Sequence, residues 1–260
     1  MPRKKPDQIS SKLNALHLTG QKAVALLIDP EKIADKRSFE ALINMAAGKA
    51  VDFFFVGGSL LTAQNIHQLI AFIKSTCPEI PVVLFPGNVI QINEDADGIL
   101  FLSLISGRNP ELLIGQQVTA APILAKSNLE ILPTGYMLVN NGEITSVNYI
   151  SQTIPIPNNK PALAVATALA GKFLGLKYLF LDAGSGANSP VNKTIIAQVK
   201  EHTACPLIVG GGINSVEKAK NAWNAGADLI VLGNGIEKNP GLLTEVLDYV
   251  HVYNLSLNVN

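Results

Sequence analysis

Short apolar runs of strand length recur along this chain, each followed by a longer stretch whose apolar positions return at helical spacing, and that alternation predicts parallel βα units. Eight runs are legible: Ala23 to Ile28, Asp52 to Val56, Val82 to Phe85, Gly98 to Leu102, part of Leu129 to Val139, Tyr178 to Leu181, Leu207 to Val209, and Asp228 to Leu232. They are apolar continuously instead of alternating, as befits strands covered by side chains inside and helices outside. Most are followed by Gly, Pro, Asp or Ser, which sharp loops require. Three of them begin alike, at Val51-Asp52-Phe53, Ala96-Asp97-Gly98 and Ala227-Asp228-Leu229, a faint internal repeat of one βα unit.

Helical spacing covers Ser38 to Lys49, Ala63 to Ser75, Pro110 to Lys126, Pro161 to Leu174, Pro190 to Glu201, Ser215 to Ala225 and Pro240 to Val250. Prolines at or near the first turn of four of these suit the N1 position. One helix is missing. Only Pro86 to Asp97 separate the third run from the fourth, and Val89-Ile90-Gln91-Ile92 reads as extended, so the third unit should cross irregularly and open one side of the wall. Asn140 to Asn159, with Asn-Asn-Gly and Pro-Ile-Pro, reads as a turn and extended loop. Eight units in 260 residues predict one modified TIM-type (β/α)8 barrel over 1–260, its third helix replaced, with 1–21 as an N-terminal extension that adds a helix.

With 48% hydrophobic against 15% charged residues, the chain can bury a large core. Lys plus Arg equals Asp plus Glu at 20 each, so no global field recruits nucleic acid, and an anion must be held by a local site. Cys77 and Cys205 are far apart and lack metal-ligand spacing, which argues against a disulfide framework or zinc and for a reducing cytoplasm. Arg3, Lys4 and Lys5 are followed by polar sequence, unlike a signal peptide, and no segment approaches the roughly 18 apolar residues of a membrane span. Any lipid ligand would therefore have to be met in solution or at a transient membrane-surface contact.

Chemistry in such a barrel belongs at the C-terminal ends of the strands. Gly210-Gly211-Gly212 follows the seventh run and Gly233-Asn234-Gly235 the eighth. Each could be a tight turn, but on consecutive loops they favour a phosphate site, because glycine lets backbone N–H groups approach an anion. Phe180-Leu181-Asp182-Ala183-Gly184-Ser185-Gly186 places a carboxylate before a small-residue loop. Asp182 is either a general base or a brace for the loop, and Ser185 either a phosphate donor or a turn cap. Asp29, before Pro30, is either a turn residue or, near the Ser59 hydroxyl, one ligand of a magnesium diphosphate. His17, His67, His202 and His251 lie on predicted helices away from the strand ends, and Lys32 and Arg108 near the barrel top are phosphate contacts or solvated loop charges.

The ordered segments Ile28-Asp29-Pro30-Glu31-Lys32, Val56-Gly57-Gly58-Ser59, Leu181 to Ala187, Val209-Gly210-Gly211-Gly212-Ile213 and Gly233-Asn234 resemble the geranylgeranylglyceryl phosphate synthase family, including its bacterial heptaprenylglyceryl phosphate synthase members. The resemblance runs through nearly the whole chain and is closer to the second of the family's two main groups. It implies a prenyltransferase that joins sn-glycerol 1-phosphate to a polyprenyl diphosphate, geranylgeranyl by expectation. It implies that Phe180, Leu181, Asp182, Ala183, Gly184, Ser185 and Gly186 bind the glycerol, and that Gly211, Gly212, Gly233 and Asn234 hold its phosphate. Asp29 and Ser59 would bind Mg2+, Asp182 would be the base, and a dimer or hexamer is implied. Where the family commonly has Tyr-x-Glu, this chain has Phe180-Leu181-Asp182, which implies a shorter carboxylate without its phenolic hydrogen bond. The competing readings are a phosphosugar isomerase-like barrel with Asp29 and Asp182 as paired carboxylates, and a non-catalytic phosphate- or flavin-binding barrel.

Overall fold

Each predicted run becomes one strand of a closed parallel barrel in the computed structural model, which describes residues 7–33, 35–49, 51–58, 66–140, 142, 145–233, 236 and 239–257. The strands are β1 (Ala23–Ile28), β2 (Phe53–Val56), β3 (Val82–Leu84), β4 (Gly98–Leu104), β5 (Glu130–Asn140), β6 (Ile156–Pro157), β7 (Tyr178–Asp182), β8 (Leu207–Gly210) and β9 (Leu229–Leu232). Pairing runs β1-β2-β3-β4-β5-β7-β8-β9 and closes from β9 back to β1, while the two-residue β6 pairs with the end of β5 outside the ring. Between them run α1 (Gln8–Thr19), α2 (Lys36–Gly48), α3 (Ile66–Thr76), α4 (Gln116–Leu124), α5 (Ser146–Ser151), α6 (Pro161–Phe173), α7 (Lys193–Thr203), α8 (Val216–Asn224) and α9 (Gly241–Leu257).

The strand period of two divides every apolar run between two cores. Phe53, Phe55, Leu100, Leu132, Tyr178 and Phe180 fill the barrel interior, whereas Phe54, Val56, Leu179 and Leu181 pack outward against the helices. The interior also takes Ile9, Leu13 and Leu16, so α1 closes the N-terminal end of the barrel. Its first turn is held by Glu130 at the start of β5, whose carboxylate accepts the N–H groups of Ile9 and Ser10 at 2.9 and 2.6 Å. A negative charge there matches the partial positive charge of a helix N-terminus.

The repeated Asp at three strand starts has a structural cause. The Asp228 N–H donates to the Leu207 carbonyl at 2.9 Å, and its carboxylate accepts the Leu207 N–H at 2.8 Å. Asp52 forms the same two-bond ring with Val24, and Asp97 forms it with Val82. A lysine from a neighbouring helix pairs with each carboxylate: Lys12 with Asp52, Lys74 with Asp97 and Lys200 with Asp228. Each ring satisfies an amide at the start of the adjoining strand, the first residue in β3 and β8 and the second in β1.

Three sequence expectations change. The third connection is a single 3-10 turn, Val89–Gln91, instead of an extended segment, because Asn88 caps it by accepting the Ile90 N–H. The buried Gln91 amide then accepts from Gly87 N–H and donates to the Gly58 carbonyl, tying this turn to the end of β2. The stretch expected as loop after β5 contains α5, started by a capping box between Thr145 and Asn148. The box has Asn where the usual signature has Glu or Gln, which hid it from the sequence. The helix expected from Pro110 opens as a π-helical turn, Glu111–Gly115, before α4.

Candidate active site

A cavity of about 480 Å³ opens at the C-terminal ends of the strands. Because Phe180 and Asp182 are two residues apart on β7, both face inward, and Asp182 reaches the cavity at the strand's last position. Gly184, Ser185 and Gly186 line it from the loop after β7, Gly211 and Gly212 from the loop after β8, and Gly233 from the end of β9. Asp29 lines the opposite wall with Gly57 and Gly58.

The glycine loops converge to backbone contact. Gly211 and Gly212 have φ of 76° and 69°. A Cβ on Gly211 would lie 2.6 Å from the Asp182 carboxylate and 2.7 Å from the amide nitrogens of Ala183 and Gly184. One on Gly212 would lie 2.8 Å from Ser189 and Pro190. Only glycine combines that backbone conformation with that approach. Two turns whose amides crowd one end of a cavity can hold a phosphate without any side chain.

Asp182 is buried, and its carboxylate accepts the Tyr136 hydroxyl at 2.5 Å and the Gly184 N–H at 2.8 Å. Burial raises its pKa above the usual carboxylate range, and the bonds from Tyr136 and Gly184 oppose that rise. Burial, and then the charge of Asp182, hold the Tyr136 hydroxyl well above the ordinary phenol value, so Tyr136 keeps its proton and remains a donor. This corrects the expectation that Phe180 leaves the carboxylate without a phenolic partner. Tyr136 on β5 stands in register with Phe180 on β7, so the phenol comes from the neighbouring strand. Phe180 meets the Tyr136 ring edge-on at 5.4 Å between centroids and stacks on Phe85 at 5.2 Å, which sets the phenol's direction. An aromatic residue at an inward position of β5 was the signal available in the sequence, but register across strands was needed to use it.

Tyr136→Phe removes a bond that lowers the Asp182 pKa, so the acidic limb of the pH dependence of kcat/KM should move to higher pH. Activity that depends on the ionised carboxylate would then be lost first at the acid end. A pH-rate series on both proteins checks this, and an unmoved limb would separate Tyr136 from the titration of Asp182.

Asp29 is the turn residue of one sequence reading, and its carboxylate also reaches the cavity. Its carboxylate accepts the Glu31 N–H at 3.2 Å as the cap of the turn Pro30–Lys32, and it also lies on the cavity against Gly58, where a Cβ would come 2.9 Å from its oxygen. Ser59 and Asn234 lie outside the described residues, as does the Lys32 side chain. Arg108 is held on its own loop, donating to the Ile105 and Gly107 carbonyls, and does not line the cavity. Leu181 and Ala183 are not brought to it either. Their side chains pack in the outer core, because they alternate with Phe180 and Asp182, and they present only backbone. His17 sits at the opposite end of the barrel beside Lys200, and His67 pairs with Asp95.

Where the third helix is absent, an apolar groove adjoins the cavity, sharing Pro86, Gly87, Leu102, Tyr136 and Val147 with it. Val89, Ile92, Leu100, Leu112, Ala120 and Leu124 continue its lining. Among the described residues lining the main cavity are two carboxylates, Asp29 and Asp182, and no Lys or Arg. No group of three or more His, Cys, Asp or Glu is placed to enclose a metal among the described residues. A lone half-buried carboxylate such as that of Asp29 has the hard-oxygen chemistry that suits a cation shared with substrate phosphates.

Residues 17–251 match the sequence profile of a family described as the PcrB family. The chain is 52% identical to a geranylgeranylglyceryl phosphate synthase of Spirosoma linguale over 92% of its own length and 96% of that protein's. It is 48% identical to one of Chitinophaga pinensis, covering 89% of this chain and 91% of that one. Among solved structures, (S)-3-O-geranylgeranylglyceryl phosphate synthase from Thermoplasma acidophilum in complex with its substrate sn-glycerol-1-phosphate superposes with a TM-score of 0.81 at 30% identity, covering 94% of this chain and 97% of that one.

Proposed function

The chain belongs to the PcrB family, and from that premise we propose that it is a prenyltransferase of the geranylgeranylglyceryl phosphate synthase type, forming an ether between sn-glycerol 1-phosphate and a polyprenyl diphosphate. One observation carries the reading: a buried carboxylate and two amide-rich glycine turns face a single cavity that continues into an apolar groove. The turns at Gly184–Gly186 and Gly211–Gly212, with Gly233 and Asn234, hold the phosphate of the glycerol substrate. The groove takes the prenyl chain, geranylgeranyl in the first instance. Asp182 accepts the proton of the attacking glycerol hydroxyl as its oxygen bonds to the allylic carbon, and the C–O electron pair departs with diphosphate. Tyr136 and the Gly184 amide keep that carboxylate aimed, and Phe180 and Phe85 keep water from the reacting atoms.

Asp29 and Ser59 would hold Mg2+, which when bound would supply Lewis-acid stabilisation of the charge on the diphosphate leaving group. The charge balance of the cavity supports it, since two carboxylates and a diphosphate would otherwise repel. We propose a homo-oligomer of dimer or hexamer type, in keeping with exposed apolar side chains such as Tyr149, Ile154 and Phe173. Free, buried Cys77 and Cys205 agree with a cytoplasmic setting, and no helix among the described residues is long and apolar enough to cross a membrane.

The test is incubation with labelled sn-glycerol 1-phosphate and a series of polyprenyl diphosphates, with and without magnesium. An ether product that requires both substrates and the ion is expected. Turnover of a phosphosugar alone, without ion or prenyl diphosphate, would replace this reading with the isomerase one.

A further inference from the structure

The phosphate end of the cavity presents neutral amides but, among its described lining residues, no basic side chain. Just behind it stands Lys218, in the first turn of α8. A cation there opposes the helix dipole, a position that ordinarily suits an acid such as the adjacent Glu217. The lysine's contacts supply a reason for it. Its Nζ donates to the Asn214 side chain at 2.8 Å and to the Asn188 carbonyl at 3.2 Å. Asn188 belongs to the loop after β7 and Asn214 to the loop after β8, and both line the cavity. The ammonium thus bridges the two turns at the seam where Gly212 meets Ser189 and Pro190. Both bonds lie at the surface, where such contacts add little to stability.

We propose that Lys218 is a positioning residue for the glycerol phosphate, clasping the two loops that form the phosphate end of the cavity and placing one positive charge behind their amides. The inference rests on the prenyltransferase reading and deepens it, assigning glycerol phosphate affinity, and not the chemical step, to this side chain. The experiment compares wild type with Lys218→Met and Lys218→Arg. Steady-state kinetics are combined with calorimetric binding of sn-glycerol 1-phosphate alone and a thermal melt.

Lys218→Met should weaken glycerol phosphate binding and raise its KM by roughly five- to tenfold, the worth of one charge-assisted contact. The kcat, the KM for prenyl diphosphate and the melting temperature should stay near wild type. Lys218→Arg should recover most of the affinity, and added salt should weaken binding to wild type more than to Lys218→Met. Unchanged affinity in Lys218→Met overturns the proposal, as does a loss shared by kcat and melting temperature, which would make the lysine merely structural. A wild-type protein that yields no ether product sinks the prenyltransferase reading itself, whereas an active wild type matched by Lys218→Met sinks only the role of Lys218.

Discussion

Asp182→Asn is expected to lower kcat by about two to four orders of magnitude, the span over which a positioned general base contributes. Binding of sn-glycerol 1-phosphate should remain near wild type, because the amide oxygen can still accept the Gly184 N–H, while the amide NH2 can donate to the Tyr136 hydroxyl oxygen once that hydroxyl turns from donor to acceptor. The fold should tolerate the change for the same reason that the site is poised. Burial already disfavours the ionised side chain, as the raised pKa records, and asparagine is neutral. The sign for stability follows. A native pKa above the unfolded one means that the contribution of this group is complete below the unfolded value and is lost as pH rises through the native value. Replacing it should therefore not destabilise the protein at neutral pH. Rapid-quench turnover and calorimetry on the variant check both parts. Unchanged turnover would remove Asp182 from the base role.

Asp228→Ala should have the largest effect on stability, a loss of about 3–5 kcal/mol, as for breaking a buried ion pair by removing one partner. The Asp228 side chain is only 3% exposed, and its loss takes the acceptor from the Leu207 N–H and the counter-charge from the half-buried Lys200 ammonium, which retains His17 beside it. Asp52→Ala is the built-in comparison. It breaks the same ring, but Lys12 is 40% exposed and water can replace the carboxylate, so a loss nearer 1 kcal/mol is expected. Urea unfolding of the two variants gives the ranking, and equal losses would refute the argument from burial. Neither site touches the cavity, so kcat measured on folded protein should be unaltered.

These two aspartates show how far a sequence carries. The motif that starts β2, β4 and β9 was visible as a repeat, but its meaning was not, because the ring it forms pairs residues 28, 15 and 21 positions apart on adjacent strands. Asp182 and the glycine loops were legible because strand ends and sharp turns write themselves in local chemistry. The substitution of Phe180 for tyrosine read as a loss, and only the barrel showed it compensated by Tyr136, 46 residues away.

What the amino-acid order alone determined is what local physics can express: the strand period, the helix period, the turns that need glycine, and a carboxylate at the end of a run. The eight barrel strands, the missing third helix and the glycine loops all follow from such short-range rules. Tertiary structure decided which inward side chains meet across the barrel. The Tyr136–Asp182 bond, the Lys218 clasp and the Asp–Lys rings depend on register and closure, and those are set by packing over the whole ring of strands.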